Sequence, residues 1–136
     1  MRLECDFWVR NTVATNSTAD PSWSDVESAI RALDAQFRTE IDRETEDGGF
    51  GVGGGDGRYV VIWTPYEVDD PWTLLAGVPG EDPVDLVVGG QMGRFRPDSV
   101  VGLDEALQAA RVFFDSQELP DSLGWRRDFE ARREKP

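Results

Sequence analysis

Histidine is absent from the 136 residues, and cysteine occurs once, as Cys5. The first absence removes the Ser-His-Asp and Cys-His forms of nucleophile activation, together with the commonest general base near neutral pH. The second removes an internal disulfide, and one thiol without histidine makes no zinc site. Redox and zinc chemistry drop out, and no cofactor, metal or catalytic residue is expected. Lysine is nearly missing too, since thirteen of the 14 basic residues are arginine. No apolar run approaches the ~18 residues that a membrane span needs. Met1-Arg2-Leu3-Glu4-Cys5-Asp6 places acids where a signal peptide has its apolar region, so a cytoplasmic protein is expected.

What the chain has in excess is negative charge: 27 acidic residues against 14 basic ones give −13. Such a charge repels nucleic acid and anionic lipid and attracts basic surfaces, so a basic protein partner is the natural expectation, with no direct nucleic-acid or membrane binding. The length fits one domain over residues 1–136, with a charged tail at about 126–136. A hydrophobic fraction of 39% with 10% aromatics suffices for a packed interior.

Leu3, Cys5, Phe7 and Val9 alternate with Glu4, Asp6, Trp8 and Arg10, the period of a strand with one buried face. Asn16-Ser17-Thr18-Ala19-Asp20-Pro21 reads as a run of turn formers. Ser22 or Ser24 then caps a helix, with Asp25 or Glu27 closing a capping box. Trp23, Val26, Ile30, Leu33 and Phe37 form its apolar stripe. Phe50 to Gly53 reads as a short strand, Gly55-Asp56-Gly57 as a hairpin turn, and Tyr59 to Trp63 as a central strand covered on both faces. Trp72 to Leu75, Val84 to Val88 and Ser99 to Val101 are further strand candidates. A helix from Leu103 to Ser116 carries Leu103, Ala106, Leu107, Ala110, Phe113 and Phe114 on its inner stripe, and Pro120 ends any continuation.

Gly49, Gly51 and Gly54 satisfy G-x-G-x-x-G, but that pattern binds dinucleotides only where it leaves a strand and opens a helix, and here a strand follows. Asp42-x-Glu44-x-Glu46 resembles the start of an EF-hand loop, yet Asp47 stands where glycine is needed and Gly53 where glutamate is needed. Paired carboxylates could serve acid and base catalysis on a sugar, but no pair is set apart in an apolar context.

Residues 40 to 92 hold 12 acids and 2 arginines, so this segment carries most of the charge. Within it Tyr66, Glu67, Asp69, Asp70, Trp72, Glu81, Asp82 and Asp85 lie in loop-like sequence, where aromatic anchors among carboxylates suit an interface with a basic partner. These eight are the expected partner-binding residues, and the acidic stretch from Thr39 to Asp47 is the next candidate.

The C-terminal third, Val100-Val101-Gly102-Leu103-Asp104-Glu105-Ala106-Leu107-Gln108-Ala109-Ala110-Arg111-Val112-Phe113-Phe114 followed by Leu119-Pro120, Leu123 and Trp125, resembles the closing signature of the immunity-protein-one family of bacterial polymorphic toxin systems. The glycine-rich hairpin from Phe50 through Trp63 is similar to that family's paired central strands. The resemblance implies a small cytoplasmic protein of interbacterial competition that binds a cognate toxin, such as a nucleic-acid deaminase or nuclease, as a 1:1 heterodimer. The signature residues would build the fold, so the resemblance implies no toxin-contacting residue. An acidic inhibitor can mimic phosphate and occlude the positive groove that such a toxin needs. A small enzyme using carboxylates alone, and an acidic adaptor for an unrelated basic protein, stay open as alternatives. The expected fold is α+β: a mostly antiparallel sheet of about five strands packed against an N-terminal and a C-terminal helix.

Overall fold

The N-terminal alternation forms strand β1 (Arg2–Val9) in the computed structural model, which describes residues 2–67, 71–75, 82–120 and 123–127. The chain then reverses at Arg10-Asn11, with Arg10 in the left-handed region at φ 57°, and returns as β2 (Thr12–Ala19) in antiparallel register from Val9 opposite Thr12 to Arg2 opposite Ala19. The turn expected at Asn16 to Pro21 is therefore corrected: the strand continues to Ala19, and the break comes at Asp20, φ 47°. Every residue of β2 is exposed, so no apolar alternation marks it, and pairing with β1 holds its β-branched residues extended.

Helix α1 (Trp23–Arg31) starts at the capping box anticipated for it. The Ser22 hydroxyl accepts from the Asp25 N–H at 3.1 Å, and the Asp25 carboxylate accepts from the Ser22 N–H at 2.9 Å. The helix stops earlier than its stripe suggested. Asp34 Oδ1 accepts the backbone N–H groups of Gln36, Phe37 and Arg38 at 2.9, 2.8 and 2.9 Å, which folds the chain into a tight turn with Ala35 at φ 61°. Val26, Ile30 and Leu33 are buried, Leu33 from beyond the helix, whereas Phe37 is 45% exposed and belongs to the turn.

Next come β3 (Glu40–Glu44), β4 (Gly48–Gly55) and β5 (Arg58–Pro65). The Asp56-Gly57 turn between β4 and β5 has both residues at positive φ, 55° and 84°, the geometry of a two-residue hairpin. With β6 (Trp72–Leu74) and β9 (Trp125–Arg127) these strands form one sheet in the order β2-β1-β3-β4-β5-β6-β9, antiparallel at every step. The sheet thus has seven strands where about five were expected: β2 and β3 carry too few apolar residues to announce themselves, and β9 is only three residues long. β7 (Val84–Val88) and β8 (Gln91–Phe95) pair only with each other, so the strand read at Val84 to Val88 lies outside the main sheet. Ser99 to Val101 is not a strand: Pro97–Ser99 makes a 3-10 turn, and Val101 alone bridges to Tyr59.

Helix α2 (Leu103–Ser116) spans the residues its periodicity indicated and ends at Gln117, φ 57°. Both helices cover the same face of the sheet. Ile41, Phe50, Val52, Tyr59 and Val61 meet Val26 and Ile30 of α1 and Ala106, Ala110 and Phe113 of α2 in one core. Phe113 stacks on Phe50 with centroids 4.5 Å apart, and Trp63 leans on the same ring at 5.0 Å. Leu119, Leu123 and Trp125 pack against this core, and the Trp125 indole N–H donates to the Pro120 carbonyl at 3.2 Å.

Because Phe113 is 2% exposed while Phe114 is only half-buried against Trp23, Phe113→Ala is expected to cost about 3–5 kcal/mol in urea denaturation. Phe114→Ala should cost less. An equal or inverted ranking of the two urea midpoints would contradict this packing.

Candidate functional site

The face of the sheet turned away from the helices is built by register. Opposite residues in an antiparallel pair point to the same side, and alternate residues to opposite sides. Since Ile41 faces the core, Glu40, Asp42 and Glu44 face outward. Glu4 stands opposite Asp42 and Arg2 opposite Glu44 on β1, so those side chains join them. On β4 the partners of Glu40, Asp42 and Glu44 are Gly53, Gly51 and Gly49, and the next residues across on β5 are Val60, Ile62 and Thr64. An acidic row and a row of Val60, Ile62 and Thr64 thus run side by side, separated by a strand that has no side chains on this face.

That strand is the floor of a groove of ≈ 380 Å³. One wall is Glu40, Asp42 and Glu44. The other is Val60, Ile62 and Val88, and Tyr66, 62% exposed, stands at one end. Two smaller concavities continue it: ≈ 180 Å³ lined partly by Glu4, Glu40 and Asp42, and ≈ 220 Å³ lined by Arg2, Glu44, Thr45, Glu46 and Tyr66. Two of the three floor glycines are required by the fit. A Cβ on Gly51 would lie 2.9 Å from Asp42 Oδ1, and one on Gly53 would lie 2.5 Å from Val88 Cγ1.

The β7–β8 hairpin roofs the far end, held by a polar knot. Asp6 accepts from the backbone N–H groups of Thr39 and Glu40 at 2.8 and 3.0 Å, from the Thr39 hydroxyl, and from the Trp8 indole at 2.8 Å. The Thr39 hydroxyl oxygen in turn accepts from the Gly90 N–H at 3.0 Å. Gly90, φ 76°, lies flat on the Trp8 ring, where a Cβ would come within 2.2 Å of Cζ2.

Burial pushes the Asp42 carboxyl up to about 8, helped by a hydrogen bond shared with Glu40 and by the charges of Glu40, Glu4 and Glu44. Glu44 is paired with Arg2 at 2.9 Å, whereas Glu40 and Asp42 join no ion pair among the described residues. Burial also pushes the Cys5 thiol up, away from nucleophilic reactivity. Among the described residues no group of acids and cysteine is arranged to hold a metal ion, and no helix is long and apolar enough to cross a membrane.

The described residues among those singled out from sequence fall on several elements. Tyr66 and Glu67 are exposed just after β5, and Tyr66 borders the groove. Trp72 is a half-buried residue of strand β6, opposite Trp63. Asp82 is exposed before β7, and Asp85 lies within β7, paired with Arg94 at 3.4 Å. Asp69, Asp70 and Glu81 lie outside the described residues. The acidic row itself came from the stretch held as the second candidate. The available signal was the spacing: acids at 40, 42 and 44 followed by glycines at 49, 51 and 53.

Fold and face together define an α+β protein with one sheet face under its helices and the other acidic and open. The family model of immunity protein Imm1 matches residues 14–127, and the chain belongs to that family, whose role is neutralisation of a toxin. A comparison with curated proteins gave no match.

The raised Asp42 group makes stability depend on pH in a defined direction. Between the ordinary carboxyl value of ~3.9 and about 8, the folded chain keeps a proton that the unfolded chain has released, so stability falls as pH rises through that window. Asp42→Asn should flatten this slope and raise the melting temperature at pH 8 relative to wild type. Parallel melting profiles for the two proteins from pH 5 to 8 would contradict the arrangement.

Proposed function

We propose that this protein neutralises a toxin acting on nucleic acid, a deaminase or nuclease, by binding it one to one and covering its basic substrate groove with an acidic face. The observation that carries the reading is the carboxylate row on the open sheet face of a chain with net charge −13, in a member of the Imm1 family. A protein that handles nucleic acid needs cationic surface, and a fixed array of carboxylates competes for that surface as phosphates do. Occlusion of this kind needs no turnover, so the protein acts in stoichiometric amounts in the compartment where its toxin would strike, the cytoplasm.

The proposed contact extends from the sheet face to the segment at 66–85, with Tyr66 as the exposed aromatic and Glu67, Asp69, Asp70, Glu81, Asp82 and Asp85 as steering charge around it. Trp72, half-buried in β6, belongs to the same proposed contact.

One observation favours a second reading. A carboxyl raised to about 8 beside a second carboxylate is what a carboxylate-only hydrolase would use as its acid and base. Turnover of a sugar, nucleotide or ester by the purified protein would support that reading and defeat the first.

Co-expression with the toxin domain encoded by the adjacent gene should rescue growth, and the purified pair should bind with nanomolar or tighter affinity, ~−12 kcal/mol. Changing Glu67, Asp69 and Asp70 together to Lys should slow association and flatten its salt dependence, because steering acts over a Debye length of ~8 Å at physiological salt. Wild-type association rates at low salt for that triple variant would remove the 66–85 segment from the contact.

A further inference from the structure

We propose that the glycine-floored groove seats a basic loop of the partner toxin, with an arginine side chain lying across β4. Its guanidinium meets Glu40 and Asp42, and its methylene stem lies along Ile62 and Val88. This deepens the toxin-neutralising reading and rests on it.

Three features of the groove select this occupant over others. The walls are chemically unlike: carboxylates line one side and aliphatic groups the other, separated by glycine backbone. An arginine side chain has that same division along its length, an apolar stem ending in a planar cation that hydrogen-bonds carboxylates in pairs. A purely apolar ligand would strip water from Glu40 and Asp42 without replacing its hydrogen bonds, and an anion would meet net repulsion.

Charge is the second feature. Glu40 and Asp42 have no basic counterpart among the described ion pairs, while Arg2 already answers Glu44 at the end of the row. A cation entering between β3 and β5 favours the ionised form of Asp42, whose proton leaves to solvent, and offsets the repulsion within the row. A second copy of the chain, also at −13, would add to it.

Shape is the third. The groove is lined along β3 from Glu40 to Glu44, five residues or about 17 Å of strand at ~3.3 Å per residue, and shares Glu44 and Tyr66 with the concavity at that end. That length fits an extended loop more than a single small ion or metabolite. Gly49 offers a means of closing the track: a Cβ there meets nothing within 4 Å, and its backbone is ordinary strand.

The test uses the full chain and the toxin domain encoded by the adjacent gene, with binding kinetics and thermal melting measured side by side. Gly49→Val fills open space in the floor and is expected to keep the wild-type melting temperature or raise it. Standing opposite Glu44 at one end of the track, it should speed dissociation by at least about 5-fold, about 1 kcal/mol. The double variant Glu40→Gln with Asp42→Asn leaves the floor intact. It should slow association at low salt by about tenfold and flatten the salt dependence, which keeps the proposal falsifiable should Gly49→Val fold poorly.

If wild type binds and both variants bind with unchanged rates, the groove is not the seat, and the toxin-neutralising reading survives without it. If wild type binds no toxin, that reading falls and this one with it. If wild type self-associates and Gly49→Val abolishes only the self-association, the occupant is a second copy and the proposal is overturned.

Discussion

Strand β4 carries side chains on one face only, and the rest of the architecture follows from that constraint. Phe50 and Val52 point to the helices, where Phe50 stacks on Phe113 at the centre of the core. Gly49, Gly51 and Gly53 point the other way. Side chains on Gly51 and Gly53 would push Asp42 and Val88 aside, and the carboxylates of β3 and the aliphatic wall of β5 could no longer flank a common trough. The cost is a strand with weak intrinsic preference for its conformation, offset by pairing on both sides with β3 and β5 and by the aromatic stack beneath it.

The acidic face exacts its own energetic cost. Four carboxyl groups, those of Glu4, Glu40, Asp42 and Glu44, project from two adjacent strands, and Asp42 among them holds its proton to about pH 8. A fold selected only for stability would not place them there. Their position is also fixed with care: Asp6 ties β1 to the start of β3, and Thr39 passes that constraint to Gly90, so the hairpin roof and the carboxylate row are held in one network. A pre-positioned surface loses little conformational freedom on binding, which is how an inhibitor of modest size reaches high affinity.

How much was legible in the sequence depended on whether apolar residues marked an element. Helix α2 has an unbroken stripe and was bounded correctly at both ends, and α1 was found at its capping box. β1 and β5 showed as alternation and as an apolar run. β2 carries no buried residue and so looked like a string of turn formers, and β3 hides one buried aliphatic, Ile41, among charges. The end of α1 was misplaced because the Asp34 turn, a side chain capturing three backbone N–H groups, competes with a stripe that continues through Phe37 in sequence alone. For the site, clustering of acids along the chain pointed to 66–85. The groove, which Tyr66 of that segment borders, depends on cross-strand register, which brings Glu4 beside Asp42 and sets Asp42 opposite Gly51. Linear sequence contains the alternation of each strand but not which strands lie side by side.

Saturation transfer from a protonated toxin to the deuterated, amide-labelled protein locates the contacting face without altering either surface. The account predicts attenuated amide signals along Glu40–Glu44 and Val60–Thr64, with α1 and α2 unaffected. Attenuation confined to the two helices, with β3 and β5 silent, would contradict it.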